Sequence, residues 1–222
     1  MRRAAPVLLL LAALAILGAS PAEAKGRCAA ERSSTVRKTP KVRVYWEAPP
    51  RGEEHRNEPY HLVGCVRASG VRRDLYERQA IPNDINHFGP LRVAGYHVAF
   101  AVWDFCTVCG DPGPFATIDE IELRHDRRRH LRRPRRYGPR GGARVDAMVL
   151  DHCGRIAYRA VLDDFYSDDE DRDPRLFTWV PGDNRRLVDR GAIDRHSIRL
   201  DHTSVYWVRD GKQHEAPVDP PC

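Results

Sequence analysis

Beyond residue 40 the chain is written in short runs of alternating or continuous apolar residues, and no long stretch repeats at helical spacing. VRVYW (42–46) alternates, with Val42, Val44 and Trp46 on one face. LVGCVRA (62–68) is apolar and β-branched, Ser69-Gly70 reads as a turn, and VRRDLYE (71–77) as the returning strand. The order then repeats with LRVAG (91–95), HVAFAVWDF (97–105) and TIDEIELR (117–124). HVAFAVWDF is nearly all apolar, which predicts a strand buried on both faces. A third round comprises RVDAMVL (144–150), RIAYRAV (155–161), RLFTWV (175–180) and, after Pro181-Gly182-Asp183-Asn184, RRLVDR. A fourth comprises SIRL (197–200), SVYWVRD (204–210) and KQHEAPV (212–218), with Asp210-Gly211 as a strong hairpin signal.

The opening strands of these rounds begin near Val42, Leu91, Val145 and Ile198, at spacings of 49, 54 and 53 residues. A period near fifty with three or four short strands per unit predicts an all-β, β-propeller-like fold of roughly four small antiparallel blades. A two-sheet β-sandwich is the alternative. Trp46, Trp103, Trp179 and Trp207 fall on strand readings, about one per unit, as expected of large residues packed between sheets.

The first 24 residues follow a different pattern. Arg2 and Arg3 precede an uninterrupted apolar run from Val7 to Leu17, and Ala22-Glu23-Ala24 follows as a small-x-small site. This predicts a signal peptide at 1–24 cleaved after Ala24, hence a secreted or extracellular protein. No later run is long enough to span a membrane, so no transmembrane segment is expected after cleavage. Residues 25–40 are small, charged and aperiodic and read as an extended N-terminal segment. Residues 41–222 read as a single domain, long enough for a sizeable core.

Export changes the meaning of the cysteines. All six (Cys28, Cys65, Cys106, Cys109, Cys153 and Cys222) lie beyond the leader, in an oxidising setting where thiols pair. Six cysteines allow fifteen connectivities, and the sequence does not choose among them. Cys106 and Cys109 form a C-x-x-C pair, but no βαβ pattern surrounds it and no second zinc half-site follows at finger spacing. Structural bridging is therefore the expectation. A redox pair, or a zinc site completed by His152 and Cys153, remains an alternative.

The formal net charge is +6, or +5 without residues 1–24, which contribute two arginines and one glutamate. The Arg-rich loop 124–144 holds ten arginines and two histidines with Asp126 as its one acid. Arginine forks suit phosphate and carboxylate, so Arg127, Arg128, Arg129, Arg132, Arg133, Arg135 and Arg136 are candidate anion-binding residues. A solvated charged loop is the bland alternative. Tyr137 alone is too little aromatic surface for stacking nucleic-acid bases, so no specific nucleic-acid recognition is expected. The acidic loop 163–173 carries seven carboxylates. Solvation or pairing with the arginines is expected there, and a weak calcium site is the alternative, although Asp168, Glu170 and Asp171 lack the EF-hand spacing.

Enzymatic signatures are sparse. Neither G-x-S-x-G nor H-E-x-x-H occurs, Ser167 sits among acids, and Ser204 lies on a strand reading. His87, His97, His152 and His202 are scattered over turns and strands. No catalytic residue, metal ligand or cofactor is assigned.

The segment GAIDRHSIRLDHTSVYWVRDGKQHEAPV (191–218), with VRVYW…HLVGCVRASGVRRDL and LRVAGYHVAFAV before it, resembles a group of secreted β-propeller-like repeat proteins of high-GC Gram-positive bacteria. The resemblance covers most of 41–218 and departs from the group in the Arg-rich and acidic insertions and in the extra Ala192. It implies architecture and export, and transfers no site residues. The expected function is a non-enzymatic extracellular or cell-envelope binding module, with an anionic polymer or another protein as partner. A hydrolase or thiol-redox enzyme with its site in axial loops or at the C-x-x-C is the competing expectation.

Overall fold

The computed structural model describes residues 27–52, 58–78, 87–104, 115–131, 142–163, 172–180, 182–183 and 185–218. Among them the chain is all-β and contains no helix. It forms four antiparallel meanders. The first is β1 (Ser33–Lys38), β2 (Val42–Glu47), β3 (Tyr60–Val66) and β4 (Arg72–Arg78). The second is β5 (His87–Ala94), β6 (His97–Asp104), β7 (Phe115–Glu122) and β8 (Arg127–Leu131). The third is β9 (Gly142–Leu150), β10 (Ile156–Asp163), β11 (Arg172–Trp179) and β12 (Arg186–Arg190). The fourth has three strands, β13 (Arg199–Leu200), β14 (Ser204–Arg209) and β15 (Lys212–Pro217). A single parallel pairing, Phe115 with Ala143, joins the second meander to the third.

The strand text of the sequence is realised almost element for element, with one correction to its phase. The first meander opens at Ser33, inside the segment expected to be a lead-in, and Val42 begins its second strand. The opening strands start at residues 33, 87, 142 and 199, giving the more even spacings of 54, 55 and 57. β1 escaped the pattern because it buries almost nothing: five of its six residues are exposed, so no alternation marks it.

Each meander has two faces to cover, and the four stack in chain order to cover them. The first packs on the second through Val42, Val44, Leu62 and Leu75 against Val98, Phe100 and Ile121. The second packs on the third through Ala99, Ala101 and Ile118 against Ile156, Tyr158 and Phe177. The third packs on the fourth through Ala147, Ala157 and Leu176 against Ile198, Val205 and Trp207. The described strands thus form four small antiparallel sheets in succession. β6 is buried on both faces as expected, with Val98, Phe100 and Val102 toward the first meander and Ala99 and Ala101 toward the third.

A tryptophan sits at each interface. Trp46 packs between the first two meanders, edge-on to Phe88 at 5.6 Å. Trp179 belongs to the core between the second and third, and Trp207 to that between the third and fourth. Trp103 lies on β6. Aromatic contacts reinforce the seams, with Phe88 stacked on Phe100 at 5.4 Å and Tyr158 on Phe177 at 5.3 Å.

The G-A-I-D…S text before β13 builds a corner. Ile193 is buried in the last core, the Asp194 carboxylate accepts from the His196 N–H at 2.9 Å, and Ser197 Oγ accepts from the Val208 N–H at 2.8 Å. The predicted Asp210-Gly211 hairpin joins β14 to β15, both residues having positive φ, 52° and 73°.

The far face of the first meander is covered by the N-terminal segment. Cys28 bonds Cys65 across a separation of 37 residues, with Cα atoms 5.8 Å apart. Tyr45 and Val63 complete that small core. Arg43 caps it, donating to the Cys28 carbonyl at 2.6 Å, to Ser33 Oγ at 2.9 Å and to Thr35 Oγ1 at 3.0 Å, with its guanidinium over the Tyr45 ring. Closing a loop of this length restricts the unfolded chain by roughly 4 kcal/mol. The double variant Cys28→Ala/Cys65→Ala is expected to unfold at lower urea concentration with a loss of about 3–4 kcal/mol. Equilibrium denaturation under non-reducing conditions measures it.

Candidate functional site

The residues proposed from sequence divide sharply. Cys153 is disulfide-bonded, and its partner lies outside the described residues, as do Cys106, Cys109 and Cys222. No described cysteine is free. Arg132, Arg133, Arg135, Arg136 and most of the acidic loop 163–173 also lie outside the described residues. The arginine segment is not a single loop, because Arg127–Leu131 form β8, paired with β7, and Gly142 begins β9.

That pairing changes what the first three arginines can do. The register sets Arg127 opposite Glu122 and Arg129 opposite Glu120, with His130 opposite Asp119. Arg129 approaches the fully buried Glu120 at 3.6 Å, and His130 pairs with Asp119. Arg128 reaches back to the first meander and donates to the Asp74 and Leu75 carbonyls. Two of the three arginines are thus committed to structure. The Arg129 charge is met by a carboxylate one strand away, and Arg128 is bound by backbone carbonyls of the first meander.

Glu120 belongs to a buried polar knot. Its Oε1 lies 2.6 Å from His97 Nδ1, and the third meander closes over the pair at Gly154. A Cβ at Gly154 would stand 2.8 Å from His97 Nδ1 and 3.1 Å from Glu120 Oε1, and φ there is +82°. A carboxylate that orients an imidazole is half of a catalytic constellation. No hydroxyl or thiol bonds His97 among the described residues, so the pair is read as a cross-strand fastener between β6 and β7 that keeps a buried carboxylate partnered.

The unneutralised positive charge lies elsewhere, at the short turns joining β1 to β2, β3 to β4, β5 to β6 and β7 to β8. Tyr96, in the β5–β6 turn, carries two cations on its ring: Arg124 at 3.9 Å and Lys41 at 5.2 Å from the centroid. Arg124 also donates to the Tyr96 hydroxyl at 3.1 Å. Arg67 stands beside Lys41, its N–H bonded to the Lys41 carbonyl at 2.9 Å, and its guanidinium donates to the Thr39 and Pro40 carbonyls. Arg27 donates to the Ala68 carbonyl at 3.0 Å. None of Lys41, Arg67, Arg124 and Arg27 has an ion-pair partner among the described residues, and Lys41, Arg124 and Arg27 are exposed. On β5, Arg92 is held below the usual arginine range, first by burial and then by the Arg37 charge. Residues 27–52 and 58–78 contain eleven Lys and Arg against five Asp and Glu, a net +6 equal to the formal charge of the entire chain. Sequence reading missed this cluster because its cations are scattered singly among strands. The signal was the excess of bases over acids in the first unit.

A second concave surface lies on the outer face of the fourth meander. A cavity of about 520 Å³ is lined by Ser197, Arg199, Asp201, Tyr206, Val208 and Gln213, with Leu200 and Trp207 at its margin. The Thr203 and Ser204 N–H groups donate to Asp201 Oδ1 at 2.8 and 2.7 Å and hold its carboxyl below the usual carboxylate range. Hydrogen bonding toward Asp201 keeps the Tyr206 phenol above its ordinary range.

Among the described residues no group of three or more His, Cys, Asp or Glu is arranged to hold a metal, and no helix is long and apolar enough to cross a membrane. No protein-family model matches the chain, and a search of curated proteins finds no significant relative.

Two outcomes follow. Gly154→Ala combines a strained φ with a clash against a ring pinned by Glu120, and is expected to cost about 2–3 kcal/mol in denaturant unfolding. The lowered Asp201 carboxyl stabilises the native state above the ordinary aspartate range, and that contribution is lost as pH falls through the native value below 3.8. Asp201→Asn is expected to flatten the acid limb of a stability–pH curve below that value while leaving its alkaline limb unchanged.

Proposed function

We propose that the chain is a secreted, non-enzymatic binding module whose four meanders act as the blades of an open propeller-like array, and whose partner is an anionic polymer of the cell envelope. The observation that carries the reading is the convergence of Lys41 and Arg124 on the Tyr96 ring, both exposed, with the half-buried Arg67 beside Lys41 and none of the three paired to an acid among the described residues. Like charges held together on one turn cluster repel, and an anion relieves that cost. Arginine and lysine at neighbouring turns present donors to successive phosphates or carboxylates of a chain without demanding one sequence. Successive burial of meander on meander supports the blade reading, and the buried Cys28–Cys65 bridge accords with an oxidising compartment.

Poly(glycerol phosphate) is the probe. The protein is expected to bind it at low ionic strength and to release it as salt rises. Lys41→Ala/Arg124→Ala is expected to weaken binding by at least about tenfold and to lower the salt slope by roughly one per lost contact. Deletion of 132–141, which spares β8 and β9, is the control. If that deletion abolishes binding and the double variant does not, the contact belongs to the arginine run. Absence of binding by the folded protein at low salt refutes the polyanion reading.

A further inference from the structure

The fourth meander is the end of the stack, and its outer face is unlike the faces that pack. The three buried interfaces are built from Val, Ile, Leu, Ala and aromatic residues. The outer face of β13–β15 instead presents two polar cross-strand rows. In one, Arg199 stands opposite Tyr206, and Tyr206 opposite Glu215. In the other, Val208 stands opposite Gln213, with Ser197 bonded to the Val208 N–H. Such a face gains little by being covered with another apolar sheet.

We propose that this groove is a saccharide subsite that takes a neutral, hydroxyl-rich sugar unit. Its size, about 520 Å³, is that of a small-ligand pocket. Its charge is balanced, with one guanidinium and one carboxylate in the lining. That balance gives a polyanion no net attraction, whereas a neutral ligand meets both a donor and an acceptor of full strength. Arg199 and Gln213 are exposed and make no hydrogen bond or ion pair among the described residues, so a planar donor fork and an amide remain for paired hydroxyls. The Tyr206 ring, half-buried between Arg199 and Glu215 on the flanking strands, offers a flat surface to the C–H face of a pyranose. The floor is rigid, because Trp207 beneath it stacks on His214 at 5.6 Å and donates from its indole N–H to Asp189 at 2.6 Å.

This site is separate from the basic cluster at Tyr96 and does not rest on the polyanion reading. Titration with cellotriose and with tri-N-acetylchitotriose, followed by proton–nitrogen correlation spectra of the whole secreted chain, tests it. Saturable shifts of the Arg199, Gln213 and Trp207 side-chain signals are expected with at least one sugar, at an affinity insensitive to salt. Arg199→Ala and Gln213→Ala remove exposed side chains that the fold does not use, and each is expected to lower affinity by about tenfold or more. Lys41→Ala/Arg124→Ala is expected to leave sugar binding unchanged while weakening the polyanion. Flat titrations with both sugars overturn the proposal, as does binding that survives both groove variants or disappears in the Lys41/Arg124 variant.

Discussion

The structure depends on one constraint: a small antiparallel meander inside the stack is apolar on both faces and cannot hold either face alone. β6 states the problem plainly. Val98, Phe100 and Val102 point one way and Ala99 and Ala101 the other, all buried. The two sides differ in size, and each neighbour answers in kind. The large side meets Val42, Leu62 and Leu75 of the first meander, while the alanine side makes room for Tyr158, Phe177 and Trp179 of the third. Fully burying one such large side chain is worth about 1.5–3 kcal/mol, so the interfaces between meanders, rather than the ladders within them, set the order of the stack.

A stack has ends, and the two ends are treated differently. At the first meander the chain folds its own N-terminal segment over Tyr45 and Val63 and fastens it with Cys28–Cys65. At the fourth, the outer face is polar from the start, and Val208 is its one central apolar residue. One end is closed covalently where apolar surface required it, and the other is left as a groove because little apolar surface needed covering. Both surfaces proposed to meet partners lie where burial makes no demand, at turns and at a terminal face.

Strands were legible from residues wherever a face was buried. HVAFAVWDF, RIAYRAV and SVYWVRD each announced a core strand, and Asp210-Gly211 announced its hairpin. β1 and β8 were not, because SSTVRK and RRRHL bury almost nothing and owe their conformation to the backbone ladder of an apolar neighbour. Missing β1 shifted the apparent repeat by one strand. The tryptophans could be placed between sheets because a large ring on a strand has few other places to go. The cation cluster at Tyr96 could not be read at all. Lys41, Arg67 and Arg124 are far apart in sequence, and only the stacking of the first meander on the second brings their turns together.

The arginine run illustrates how composition misleads when pairing is ignored. Ten arginines in 124–144 look like a field of positive charge. The register of β7 against β8 sets Glu120 opposite Arg129, which approaches it at 3.6 Å, so part of that charge is met within its own sheet. Residues 132–141 hold five arginines and 164–171 five carboxylates. The strand residues bounding these two segments, Gly142 and Asp163, are themselves cross-strand partners. The first unit, residues 27–78, carries twelve Lys and Arg against seven Asp and Glu. The strength of a polyanion contact follows the charge left unpaired by folding, and folding leaves it at turns where arginine and lysine were too thinly spread to be noticed.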